Sequence, residues 1–282
     1  VSLYSLLMHC ALALASFFSV RLMLPKVLAL LDKSGLTRPN FRGDHIPTAA
    51  GVIILVVPFF WIAAGVLLRL YFPWQALSLL MLMMAFGFAG MIDDFLGNRA
   101  QSGLRGHWRA LRSGELTTGA FKAIFGGAAA FAFAIFVARF MDNGNLAVLV
   151  MNALIVALSA NAVNLFDLRP GRAGKVFVFG LAALFLVAFS PERITLMFPI
   201  LAALLGYLPF DMSAKAMMGD TGSNVLGAAL GACAVFTLSP LAGLILLLLL
   251  IGLHVTAEFT SLNKIIENSV VLKAIDRWGR KE

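Results

Sequence analysis

The feature that most constrains this chain is a succession of apolar runs, each near the length that crosses a bilayer. A helical span needs about 20 apolar residues. Runs of that order cover 3–24, 48–70, 75–92, 118–140, 146–163, 174–190, 195–210, 224–238 and 241–258. The chain is 61% hydrophobic and 13% charged, whereas soluble domains carry about 25% charged residues. These patterns predict an all-α, polytopic membrane bundle of about 9–10 transmembrane helices, with no room for a soluble domain of ordinary size. The first run reads as a span, not as a cleavable signal. Cys10 and Cys233 both lie in apolar runs, which argues against a disulfide framework. The expected organisation is a bundle over 1–259 and an amphipathic tail over 260–282. In that tail Leu262, Ile265, Ile266, Leu272 and Ile275 fall roughly at helical spacing between basic residues. Two readings stay open for it: an interfacial helix on the membrane, or a solvated helix packed on the bundle.

Lys and Arg are enriched in the cytoplasmic loops of membrane proteins. Of 22 such residues, only Arg69, Arg139 and Arg193 fall in one set of loops. The other set includes Arg21, Lys26, Lys33, Arg38, Arg42, Arg99, Arg105, Arg109, Arg112, Lys122, Arg169, Arg172, Lys175 and Lys215, and the tail adds Lys264, Lys273, Arg277, Arg280 and Lys281. Nine spans then place the N-terminus outside and the C-terminus in the cytoplasm. The net charge of +8 has the same origin. No basic block interleaved with aromatics is present, so nucleic acid is not an expected partner.

Polar residues gather where the apolar runs end on that basic side. Carboxylates in lipid-facing runs are costly and tend to be functional. Asp93 and Asp94 close one run, Asn161, Asn164 and Asp167 close another, and Asp220 opens a third in MGDTGSN. Each has an ordinary alternative: solvated loop aspartates, interhelical amide bonds, a helix N-cap. Adjacent carboxylates repel and call for a cation, a shared proton or water. Magnesium prefers oxygen ligands with phosphate partners, and small residues at a helix N-terminus suit phosphate. Arg169, Arg172 and Lys175 follow at once and could pair with a diphosphate. The sum points to a site on one membrane rim that holds a cation and something phosphorylated. His45 and His107 are isolated in loops, and His9 and His254 are lone histidines in spans. HExxH, paired CxxC, Walker A and GxGxxG patterns are all missing.

Taken in order, these segments resemble the polyprenyl-phosphate N-acetylhexosamine-1-phosphate transferases, the MraY/WecA-like membrane enzymes of glycosyltransferase family 4. Ile46-Pro47-Thr48-Ala49-Ala50-Gly51 is similar to that family's TPTMGG segment. Ile92-Asp93-Asp94-Phe95 matches its aspartate pair, and Thr117–Lys122 its lysine-bearing stretch. Asn161–Asp167 matches NxxNxxD, and Met218–Ser223 matches its GD-GS motif. The resemblance implies a catalytic bundle that transfers a sugar-1-phosphate, such as N-acetylhexosamine-1-phosphate, from a UDP-sugar to polyprenyl (undecaprenyl) phosphate. The reaction would use Mg²⁺ and release UMP for cell-envelope glycopolymer synthesis. It implies a bacterial cytoplasmic membrane and an active site on the cytoplasmic face, and members of that family can pair as homodimers. Asp220 would be the principal magnesium ligand, with Asp94 in support. Asp93 would deprotonate or orient the lipid phosphate. Asn164 and Asp167 would order the diphosphate and metal waters, and Lys122 would offset phosphate charge. Thr48, Asn161, Arg169, Arg172 and Lys175 would complete substrate binding.

The chain departs from the family at Pro170, where the resemblance calls for a second aspartate near the nucleoside, and it lacks the histidine-rich last cytoplasmic loop. Those departures keep a second reading open: a catalytically weakened relative that binds lipid phosphate or nucleotide and scaffolds envelope synthesis. A transporter is a third reading. Transporters place ionisable groups near the bilayer midplane, whereas here they sit at span ends.

Overall fold

The computed structural model describes residues 3–97, 117–141, 144–188 and 190–280. Arg99, Arg105, His107, Arg109, Arg112 and Lys281 therefore lie outside the described residues. Among the described residues, nine long helices follow the nine apolar runs: α1 (Leu3–Lys33), α2 (Val52–Leu67), α3 (Pro73–Leu96), α4 (Thr118–Met141), α5 (Leu146–Phe166), α6 (Arg172–Val187), α7 (Phe198–Met212), α8 (Gly219–Thr237) and α9 (Pro240–Phe259). Among the described residues, six helical segments are long and apolar enough to cross a membrane: α1, α3, α4, α5, α9 and the stretch Thr195–Met212 that contains α7. The chain is thus an all-α polytopic membrane protein. The remaining three are shorter or more polar. α2 and α6 have 16 residues each, and α8 opens on the polar turn Gly219-Asp220-Thr221-Gly222-Ser223.

α8 tolerates that polarity because it is the centre of the bundle. From Thr221 to Phe236 every residue except Leu230 is buried. α5 and α3 pack along its length, with α6 and α2 beside them. Lipid gives helices little hydrophobic reason to associate, so close van der Waals contact through small residues holds them together. A Cβ on Gly227 would lie 2.4 Å from Ser159 O of α5, and one on Gly90 of α3 would lie 2.4 Å from Asp220 O. α1 lies against α7, where the Ser16 hydroxyl donates to Pro199 O at 2.7 Å. At the far end of α8, the Arg193 guanidinium donates to Phe236 O, where a cation complements the helix C-terminus.

The sequence reading missed a small β-element at the opposite end. β1 (Thr37–Pro39) pairs antiparallel with β2 (His45–Pro47). Asn40 closes the loop between them, its Oδ1 accepting from the amides of Arg42 and Asp44. The chain after β2 then zips onto the approach to α8. Met217 N donates to Pro47 O, Ala50 N to Met217 O and Gly51 N to Met218 O, at 2.8–3.0 Å. This ladder brings the Thr48 segment beside the start of α8.

The tail is two helices, α10 (Leu262–Asn268) and α11 (Val270–Arg277), where one was predicted. Ser269 interrupts it as the N-cap of α11, its hydroxyl accepting from Leu272 N. The tail folds back onto the start of α6. Asp276 accepts a bidentate pair from Arg172, Nε at 2.8 Å and Nη2 at 3.0 Å. Arg172 Nη1 also donates to Asn263 Oδ1 at 2.7 Å. Lys175 Nζ donates to the carbonyls of Ile275 and Asp276. Arg280 reaches Asp276 and Pro170 O.

Two outcomes follow from this packing. Gly90→Ala forces α3 away from α8, so the detergent-solubilised protein is expected to lose about 1–3 kcal/mol of stability. Gly127→Ala, which meets nothing within 4 Å, is expected to cost nothing; thermal melts of the two variants check the contrast. Burial of Asp276 opposes its ionisation, but the hydrogen bonds and charges of Arg172 and Arg280 outweigh it and hold the carboxyl below the usual carboxylate range. A group depressed in the folded state contributes stability above its unfolded value, about 3.9, and loses it as pH falls through the folded value. Tail docking is therefore expected to be unchanged from pH 7 to 5 and to weaken below about 4. Asp276→Asn is expected to loosen it at neutral pH, read as faster hydrogen exchange across 262–277.

Candidate active site

Odd-numbered helices end, and even-numbered helices begin, on the side that carries the polar clusters. Four of them meet there. Asp93 and Asp94 stand in the last turns of α3, Lys122 in the first turns of α4, Asn164 in the last turn of α5, and Asp220 in the first turn of α8. Lys122 Nζ donates to Asp220 Oδ2 and lies 3.6 Å from Asp93 Oδ2. Asn164 Nδ2 donates to Asp220 Oδ2 at 3.2 Å, while its Oδ1 accepts from the Ser223 hydroxyl at 2.9 Å. The amide is thereby fixed with its NH₂ toward the carboxylate. Asp93 is also held by the Thr118 side chain. The Lys122 and Asp220 side chains keep 18% and 24% of their exposure, so the cluster is open to a substrate.

Asp94 does different work from its neighbour. Its Oδ1 accepts from Asp220 N at 2.8 Å, and its Oδ2 accepts from Thr221 N at 2.9 Å and from the Thr221 hydroxyl at 2.6 Å. α8 has no side-chain cap of its own, and Asp94 supplies one from another helix. A carboxylate at a helix N-terminus satisfies orphan amides and complements the dipole. Gly219 makes the approach possible. Its φ is +72°, and a Cβ there would lie 2.6 Å from Asp94 Oδ1. Arg38 of β1 donates to the backbone carbonyl of Asp94 at 2.9 Å, holding the end of α3 in turn.

Asp167 follows α5 directly, its amide bonded to Asn164 O. Burial, then the charges of Asp211, Asp220 and Asp94, push its carboxyl well above the usual carboxylate range, opposed by a hydrogen bond from the Gly219 amide. Asp93, Asp94 and Asp220 still outnumber the Lys122 ammonium that is bonded among them. The oxygens the cluster offers are carboxylate oxygens, ligands of the kind magnesium prefers. Among the described residues no group of three His, Cys, Asp or Glu forms a ready-made metal cage. Magnesium sites usually complete their coordination with water and substrate phosphates around one or two carboxylates, so the residues present fit that ion.

The other expected residues are placed as follows. Thr48 is buried in the segment paired with Met217 and Met218, next to the start of α8. Asn161 lies one turn before Asn164 and, among the described residues, makes no hydrogen bond to the cluster. Arg169 stacks on Phe41, its guanidinium carbon 5.8 Å from the ring centroid, beside the β1–β2 loop. Arg172 and Lys175, expected to bind diphosphate, are engaged by the tail instead. Pro170, at the departure from the family pattern, accepts from Arg280. His254 bonds back to Leu250 O of its own helix.

Several residues were overlooked. Thr221 and Ser223 lay inside the quoted GD-GS motif without a role. Asp211, 4% exposed near the end of α7, accepts from Gly171 N at 2.9 Å and so fixes the turn that follows Asp167. The rule that flagged the other carboxylates in apolar runs would have found it, but the predicted span stopped at residue 210.

A family model described as glycosyl transferase family 4 matches residues 76–238, which takes in all four helices of the cluster. Three curated relatives bear the name phospho-N-acetylmuramoyl-pentapeptide-transferase. The one from Clostridium kluyveri is 31% identical over 249 residues, covering 83% of this chain and 77% of that protein. The one from Desulforudis audaxviator is 31% identical over 261 residues, covering 81% and 76%. The one from Carboxydothermus hydrogenoformans is 29% identical over 274 residues, covering 88% and 80%. With a matching family model across more than half its length and relatives of this identity and coverage, the chain belongs to glycosyl transferase family 4, as a divergent, MraY-like member.

Proposed function

We propose that the chain transfers a sugar-1-phosphate, of the N-acetylhexosamine class, from a UDP-sugar to polyprenyl phosphate in a bacterial cytoplasmic membrane, releasing UMP. The observation that carries this reading is the convergence of Asp93, Lys122, Asn164 and Asp220 from four helices onto one open rim. The transferase names of the relatives support it. So does the basic bias of that rim, which favours a cytoplasmic site with the N-terminus outside.

The reaction brings a lipid phosphate onto a nucleotide diphosphate, two anions, so catalysis rests on positioning and charge neutralisation. Asp220 is the ligand proposed for magnesium, whose chemistry when bound is to neutralise diphosphate charge and polarise the phosphorus under attack. Asp94 positions Asp220 by holding the first amides of α8. Asn164 fixes the orientation of the Asp220 carboxylate through Oδ2. Asp93, tied to Lys122, is placed to accept a proton from the lipid phosphate or to orient it. Lys122 offsets incoming phosphate charge by exchanging its carboxylate partners for the substrate. The second reading, a weakened relative that binds without turnover, draws on one observation: the tail occupies Arg172 and Lys175, two of the cations assigned to diphosphate.

Purified protein incubated with undecaprenyl phosphate, magnesium and a panel of UDP-sugars is expected to release UMP. Asp220→Asn, Asp93→Asn and Lys122→Met are each expected to reduce the rate by about 10²–10³-fold with the fold intact, and EDTA is expected to abolish it reversibly. Lipid-phosphate binding with no UMP from any donor would establish the second reading instead. Asp94→Asn is expected to lose activity and also about 1–2 kcal/mol of stability, measured as a lower melting temperature. That double loss separates it from Asp220→Asn.

A further inference from the structure

We infer that α11 is a foot on the membrane surface, its apolar face laid into an anionic leaflet and its opposite face locked to the loop that follows Asp167. The helical arrangement requires two faces. Val270, Ala274 and Trp278 recur every fourth residue, Val271 and Ile275 lie beside them, and Asp276 falls on the other side of the wheel. Val270 is 85% exposed, Val271 67% and Trp278 71%. The polar side is occupied: Asp276 is bound by Arg172 and Arg280, and Lys175 holds the last carbonyls of the helix. The clamp therefore turns the apolar side away from the bundle.

The bilayer is the occupant that fits, for two reasons. The first is continuity with lipid. α9 leads into the tail and exposes Leu241, Ile245, Leu248, Leu249 and Phe259, the lipid-facing side of a span, and only Ser261 separates Thr260 from α10. The second is charge. Lys273 and Arg277 border the apolar face and Lys264 lies on α10, a pattern that binds anionic headgroups. Trp278 follows the last turn of α11 on the same apolar side, and an indole prefers the headgroup level. The clamp gives this contact a consequence. Arg172 and Lys175 open α6 directly after the turn that Asp211 fixes through Gly171, and Arg280 holds Pro170. Lipid engagement thus holds 167–172 in place beside the carboxylate cluster. The inference is independent of which sugar or acceptor the site uses.

The test uses the full chain with Cys10→Ser and Cys233→Ala, spin-labelled through Val271→Cys or through Lys273→Cys, in bilayers of phosphatidylglycerol or of phosphatidylcholine. The expected result is a several-fold higher ratio of oxygen to nickel-chelate accessibility at position 271 than at 273, falling when the anionic lipid is replaced. Equal, water-like accessibility at both positions would overturn the inference. So would exclusion of both reagents at 271, which would mean that protein, including a second copy, covers the face. A second measurement keeps the native cysteines: quenching by brominated lipids, as the difference between the unaltered chain and Trp278→Phe, is expected to show Trp278 within reach of the shallow bromines. No difference between the two would also overturn it.

Discussion

The site depends on one carboxylate that holds a helix it does not belong to. Asp94 receives three donors from the first residues of α8, and in doing so fixes where Asp220 stands. The arrangement requires a glycine on each side of the joint. Gly219 permits the left-handed turn and leaves space for the Asp94 oxygens, and Gly90 lets α3 touch the backbone of Asp220. Thr48 and its neighbours, paired with Met217 and Met218, brace the same junction from the hairpin side. Three separated stretches of sequence thus meet at one helix start.

Around that joint the charges are deliberately unbalanced. Asp93 and Asp220 share Lys122, and Asn164 and Thr118 complete their hydrogen bonds. Asp167 and Asp211 lie behind them, facing the backbone amides of Gly219 and Gly171. A rim so composed is poorly satisfied by protein alone and well suited to a hydrated divalent ion with phosphate ligands. This is the physical link between the packing of the bundle and phosphoryl chemistry at its edge.

Much of this was readable before any coordinates, and the limits have physical causes. The Lys and Arg asymmetry placed Asp93, Asn164 and Asp220 on one rim, and apolar run lengths located all nine helices. The difference between Asp93 and Asp94 was not readable. Neighbours on a helix point about 100° apart, so a paired motif does not say which member faces the open cluster and which meets the neighbouring helix. Arg172 and Lys175 looked like diphosphate ligands because their local sequence says nothing of Asp276, about a hundred residues on and returned by tertiary folding. The start of α8 was set too late because GDTGS is polar. A helix buried wholly in protein need not be apolar at its ends.

α8 is also gripped at its opposite extremity, where Arg193 takes the carbonyl of Phe236. A rod pinned at both tips, with neighbouring backbones pressed into its glycines, cannot slide along its axis or change register. That makes α8 the stationary member of the bundle, and the carboxylate at its start inherits the rigidity.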